Sequence, residues 1–177
     1  MKSQYFFKSM LAVAILGLAA CKPSVDVTVP TKGTADFTRY IAIGNSLTSG
    51  YADNGLYLEG QKNSFPEMLA QQMKTVGGGE FYTPFFTDAQ ANGSGYLKLT
   101  GFNANGTPIL TPQAENTAVR GKVNMPGFGD VVLYTKYSGE LNNYGVPGIK
   151  LAHVDYAPYG NVNGYFERLL PGNAGSN

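Results

Sequence analysis

The most constraining stretch of this chain is Tyr40-Ile41-Ala42-Ile43-Gly44-Asn45-Ser46-Leu47-Thr48-Ser49-Gly50-Tyr51. A short apolar run meets a glycine, then two polar residues, and a second glycine follows at position 50. The run predicts a strand over 39–43, apolar on both faces at its end, of the kind found inside a parallel sheet. The turn after it carries Ser46 to an exposed corner. A nucleophilic serine needs that arrangement, a rigid strand behind it and open space in front. A plainer alternative is a serine that caps a helix after a strand. Two other motifs are excluded. Residues 44–50 lack the lysine of a phosphate-binding loop, and Thr48 stands where a G-x-S-x-G elbow needs glycine.

The next residues extend the strand into an α/β unit. Positions 51–63 read as a loop, and Ser64-Phe65-Pro66-Glu67 opens a helix with Ser64 as cap and Glu67 closing a capping box. Phe65, Met68, Leu69, Gln72, Met73 and Val76 recur at helical spacing and predict its inward face. Gly77-Gly78-Gly79 ends it. Strand, serine turn and helix make the first unit of an α/β fold.

Residues 80–142 have a different character. Extended runs at 81–86, 96–102, 108–110 and 131–137 alternate with Asn92-Gly93, Asn105-Gly106 and Pro126-Gly127. They predict a β-rich insertion, or a lid over the site, with a hairpin over 97–111 around Asn105-Gly106. Asn92-Gly93-Ser94 and Asn105-Gly106-Thr107 match a glycosylation acceptor pattern and are read as turns. After Asn143-Tyr144-Gly145-Val146-Pro147-Gly148 a short helix is predicted over 149–156, helical turns over 163–170 and a loop over 172–177. There is no internal repeat.

The N-terminus is a targeting segment. Lys2 and Lys8 precede an apolar run over 10–20, too short for a spanning helix, which needs roughly 20 apolar residues. Leu18-Ala19-Ala20-Cys21 resembles the lipobox of bacterial lipoproteins, where the cysteine is lipidated and becomes the first mature residue. The alternatives are an ordinary signal peptide or a short membrane anchor. Cys21 is the only cysteine of the chain, so no thiol chemistry would remain to the mature protein. Loss of Lys2 and Lys8 takes the formal charge from +1 to −1. That near-neutral balance, with no basic cluster, excludes a nucleic-acid surface. No His/Cys cluster suggests a metal or a cofactor. Lys22 after the cysteine leans towards the outer membrane rather than the inner. Residues 23–36 are polar and read as a tether, so the chain divides into a signal peptide (1–20), a tether (21–36) and a domain (37–177).

Gly44-Asn45-Ser46-Leu47 resembles the first block of the SGNH (GDSL) hydrolases, usually Gly-Asp-Ser-Leu. Asn143-Tyr144-Gly145-Val146-Pro147-Gly148 is similar to that family's second block, Asn-x-Gly-x-x-Gly. Two blocks in the right order are more specific than either alone. The resemblance implies a flavodoxin-like three-layer α/β fold, here incomplete and interrupted by the β-rich insertion. It implies Ser46 as nucleophile towards an ester carbonyl, with its own N–H as one oxyanion donor. Gly148 would give the second N–H, with the amides of the helix predicted after it favouring the developing charge. Gly44, Asn45, Leu47, Asn143 and Gly145 would be the neighbouring motif positions.

The departures are equally specific. Asn45 replaces the usual aspartate. The third block, Gly-x-Asn-Asp, and the Asp-x-x-His that supplies acid and base do not follow the second. The expectation is therefore the N-terminal part of a lipid-anchored serine esterase of the bacterial envelope, inactive alone, whose substrate is a carboxylic ester such as an acetylated glycan or a lipid. His153, the only histidine, is a surface or partly buried helix residue, or else a substitute base that Asp155 is badly placed to orient. The alternative function is a non-catalytic surface lipoprotein binding glycan or a protein partner through the aromatic β insertion. A structural adhesin built on the Tyr/Gly-rich strands is a third reading.

Overall fold

A computed structural model describes residues 28–172. The signal segment, Cys21 and the first part of the tether lie outside the described residues, as do positions 173–177. The chain divides after Pro30, and every element below belongs to the unit that begins at Thr31. Among the described residues no helix is long and apolar enough to cross a membrane.

The fold is mixed α/β, with one small parallel sheet and two antiparallel ones, each of two strands. Strand β1 (Ala42–Gly44) pairs in parallel with β6 (Asn143–Gly145), Gly44 opposite Gly145. Between them in sequence lie helices α1 (Ser46–Ser49), α2 (Leu58–Lys62) and α3 (Phe65–Lys74). Two hairpins then follow, β2 (Tyr96–Phe102) with β3 (Pro108–Gln113), and β4 (Val119–Met125) with β5 (Gly129–Tyr134). A 3-10 turn (Leu151–His153) and short helices α4 (Tyr159–Val162) and α5 (Gly164–Glu167) close the described chain.

The core is small. Leu56, Leu58, Phe86 and Ala118 form its centre, with Tyr51, Phe85, Ala91 and Tyr165 packed around them. Tyr165 of α5 stacks on Tyr134 of β5 at 4.7 Å, which ties the second hairpin to this core. Glu167 of α5 adds an ion triad, accepting Arg120 and Lys136 at 2.7 Å each.

Several local expectations are corrected. The predicted loop 51–63 contains α2, because Leu58 enters the core and Gln61, one turn on, is buried beside it. The Gln61 amide donates to Pro84 O at 2.8 Å and accepts from Phe86 N–H at 2.9 Å. Those bonds also explain why 81–86 is extended yet joins no sheet: its polar groups are taken by Gln61 and by Asn142, and Pro84 has no N–H to offer.

Ser64 stands at the N-cap of helix α3 as expected, but its side chain makes no cap bond and the capping box does not form. The Glu67 carboxylate accepts from Thr83 Oγ1 at 2.7 Å instead, and the buried Ser64 hydroxyl has no partner. Its buried positions are Pro66 and Ala70, while Phe65, Met68 and Leu69 are exposed. The hairpin over 97–111 is present, with Asn105 holding the Thr107 N–H through its side chain in a five-residue loop. Strand β4 lies where no extended run was expected, although Val119, Gly121, Val123 and Met125 alternate with Arg120, Lys122 and Asn124 along it.

The helix predicted over 149–156 is only the 3-10 turn. The His153 ring takes the Lys150 N–H at 3.2 Å, and Pro158 disfavours helical geometry just before it. Gly148 therefore has no helix behind it to lend dipolar stabilisation.

Candidate active site

The register of β1 and β6 decides what meets what. With Gly44 opposite Gly145, the parallel strands end side by side, about 4.8 Å apart. Ser46 lies two residues beyond one strand end and Gly148 three beyond the other. Crevices outside the carboxyl ends of parallel strands are where α/β sheets place ligands.

Ser46 begins α1, the tight turn that reverses the chain after β1. Asn45 caps it, its side-chain oxygen accepting the Leu47 N–H at 3.3 Å. An amide oxygen serves here as a carboxylate oxygen would, so the Asp-to-Asn departure leaves the turn intact. Ser49 Oγ donates to the Ser46 carbonyl at 2.8 Å, and Tyr51 N–H donates to the same oxygen at 2.9 Å. The backbone of Ser46 is thus held from its carbonyl side while the side chain is half-exposed and its N–H finds no acceptor among the described residues.

The second block has a structural job that the sequence did not reveal. Asn143 is 1% exposed, so it faces no substrate. Its Nδ2 donates to Thr48 O at 3.0 Å and its Oδ1 accepts from Gly145 N–H at 3.0 Å, pinning β6 to α1. Gly44 and Gly145 allow the approach, since a Cβ on the first would overlap Thr48 Oγ1 and on the second the Ser49 amide nitrogen. Leu47 points outward and is exposed. Of the seven motif positions, then, Gly44, Asn45, Asn143 and Gly145 shape the turn, and Ser46 and Gly148 lie just beyond the two strand ends.

Gly148 has φ +82°, a left-handed conformation that leaves its N–H without an acceptor among the described residues. Asn163, which the sequence reading did not single out, fixes the peptide before it: its Nδ2 donates to Pro147 O and to Tyr159 Oη, both at 2.9 Å. Burial pushes the Tyr159 phenol above its usual value, so it stays neutral.

Beside Gly148 opens a cleft of about 590 Å³, walled by Phe128, His153, Tyr156 and Tyr159. Phe128 lies in the turn between β4 and β5, so the second hairpin reaches this cleft. Ser46 is not among its walls. His153 does not pair with Ser46 either: its Nδ1 accepts the Lys150 N–H, and its ring stacks on Tyr159 at 4.5 Å.

Behind the strand ends, Ser49, Gln61, Asn143 and Arg168 line a closed pocket of about 10 Å³, room for one water. Arg168 is 3% exposed and has no carboxylate partner among the described residues. Its Nη2 donates to Phe85 O at 3.1 Å and its guanidinium lies 4.3 Å from the Phe86 ring centroid. Burial pushes its pKa down to about 10. No group of three or more His, Cys, Asp or Glu placed to hold a metal occurs among the described residues.

Compared with protein-family models, with curated proteins and with solved structures, the chain matches none.

Proposed function

We propose that Ser46 is the nucleophile of a lipid-anchored SGNH-type serine esterase, acting on carboxylic esters at the bacterial envelope. In this reading Ser46 Oγ attacks the ester carbonyl and the negative charge that develops on its oxygen is held by the N–H groups of Ser46 and Gly148. The alkoxy group leaves, and water hydrolyses the acyl-enzyme. Each oxyanion donor supplies roughly 3 kcal/mol of transition-state stabilisation. The general base comes from residues outside those described, on elements that would also complete a flavodoxin-like three-layer sheet over β1. Cys21 anchors the whole, towards the outer membrane, and 80–142 is the lid.

The observation that carries this reading is that Ser46 and Gly148, both with N–H groups free of acceptors among the described residues, follow the adjoining ends of two parallel strands. The test is hydrolysis of p-nitrophenyl acetate by the protein as the cell makes it. Ser46→Ala should cut kcat/KM by about 10⁴-fold, and a fluorophosphonate should add its mass to the Ser46 peptide. Unchanged activity in Ser46→Ala removes Ser46 from the mechanism. The second reading, a non-catalytic lipoprotein that binds glycan or protein through the β insertion, is favoured by the lack of an imidazole partner for Ser46. It predicts no hydrolysis and no labelling at all.

A further inference from the structure

We propose that the cleft beside Gly148 is a binding site for a neutral, hydroxyl-bearing ring, the sugar of a glycan, and that His153 is its hydrogen-bond donor. The proposal rests on the esterase reading only in taking that sugar as the alcohol part of the substrate. Three features of the cleft select its ligand. First, no Lys, Arg, Asp or Glu lines it, so it offers nothing to neutralise a phosphate or a carboxylate. Second, its walls are aromatic: Phe128 is 62% exposed and Tyr156 40% exposed. Such faces pack against the C–H face of a sugar ring while leaving its hydroxyls free. The volume of about 590 Å³ suits a ligand of that size.

Third, the imidazole is set in one form. Nδ1 accepts the Lys150 N–H at 3.2 Å, so the neutral ring carries its hydrogen on Nε2. Nε2 has no partner among the described residues. Tyr159, buried between His153 at 4.5 Å and Phe166 at 5.6 Å, holds the ring flat from behind. An imidazole with hydrogen on Nε2 donates to a hydroxyl oxygen, and it cannot take a proton from serine through that nitrogen. The same geometry that disqualifies His153 as a base equips it to bind. A purely aliphatic acyl chain would leave that N–H unpaired, at a cost a sugar hydroxyl avoids.

The experiment is a backbone amide NMR titration of the full chain with four neutral tetrasaccharides (cellotetraose, xylotetraose, mannotetraose and tetra-N-acetylchitotetraose), with hexanol as the aliphatic probe. At millimolar concentration at least one sugar should shift the amides of Gly148, Ala152, His153 and Val162. His153→Phe keeps the stack on Tyr159 and removes the donor, and should weaken that sugar about tenfold. Phe128→Ala, on an exposed turn, should weaken it several-fold with the rest of the spectrum unchanged. The proposal is overturned if no sugar shifts these amides, if hexanol alone does, or if His153→Phe binds the sugar as tightly as the parent. Ser46→Ala should bind the sugar unchanged. Retained sugar binding together with no hydrolysis and no labelling of Ser46 would sink the esterase reading and leave this one standing.

Discussion

At the scale of single residues, the buried amides matter more than the exposed serine. Asn143 makes two hydrogen bonds from a position with almost no solvent access, and removing its side chain strands the Thr48 carbonyl and the Gly145 N–H. Asn143→Ala should therefore cost about 3 kcal/mol in urea unfolding, near the upper end for leaving buried partners unsatisfied. Asn45→Ala loses only an exposed cap and should cost about 1 kcal/mol, while Asn45→Asp, which keeps the acceptor, should stay within a few tenths. If Asn45→Asp destabilised as much as the alanine variant, the cap would not be what Asn45 does. The sequence made the glycines and asparagines of the two blocks conspicuous, yet gave no sign of their division of labour. Whether an asparagine faces substrate or pins a turn depends on the strand register, which no residue type encodes. Asn163 was invisible for the same reason: its partners, Pro147 and Tyr159, are set by where α4 and α5 fall.

At the scale of elements, the two hairpins are alike in topology and unlike in role. Strands β2 and β3 have no buried residue, with Leu99, Phe102, Ile109 and Leu110 all exposed. Strand β5 instead buries Val131 and Tyr134 and packs on α5. Replacing 98–111 with a tight two-residue turn joins Leu97 to its cross-strand partner Pro112, and should shift Tm by no more than a few degrees. The equivalent excision of 120–133 removes buried Val131, the Arg120 arm of the Glu167 triad and the β4 and β5 strands, and should abolish cooperative unfolding. Equal tolerance of both excisions would contradict the packing described here. Turn chemistry exposed the first hairpin in the sequence, because Asn105-Gly106 sits between two apolar runs. Strand β4 does alternate, Val119, Gly121, Val123 and Met125 with Arg120, Lys122 and Asn124, but Gly121 at its middle and only three apolar side chains dilute that pattern. The apolar stripe of α3 misled in the opposite way. Phe65, Met68 and Leu69 have helical periodicity, but the helix turns Pro66 and Ala70 inward, and periodicity reports an apolar face without saying what covers it.

At the scale of the whole molecule, the open faces and the buried phenols set opposite limits. Ile43 is 81% exposed, and Ile41 and Tyr144 share its uncovered side of the β1–β6 sheet, although parallel strands are ordinarily covered on both faces. The described core is therefore a thin one, and its response to alkali is a sensitive gauge of how it is held. Burial raises the pKa of Tyr134, with the neighbouring Tyr165 adding to the effect, and burial followed by the Asp53 hydrogen bond raises that of Tyr57. Both phenols ionise in the unfolded chain near the ordinary value of 10.0 but resist ionisation in the folded one. Their contribution is fully present below that value and is lost as pH rises above it towards their folded values, with buried Tyr134 contributing most and the more solvent-screened Tyr57 less. Arg168 acts in the other direction. Its folded pKa is lowered to about 10, below its ordinary value, so the unfolded chain holds its proton longer and stability is gained as pH rises from there towards the ordinary value. Two strongly shifted phenols outweigh one guanidinium, and the net slope is downward. Absorbance at 295 nm should show the exposed tyrosines titrating first, then a late step that coincides with loss of near-ultraviolet circular dichroism. Tyr134→Phe, which keeps the stack on Tyr165 and removes the ionising group, should move that step to higher pH. A late step unmoved by the substitution would place the alkaline weak point elsewhere than between α5 and β5.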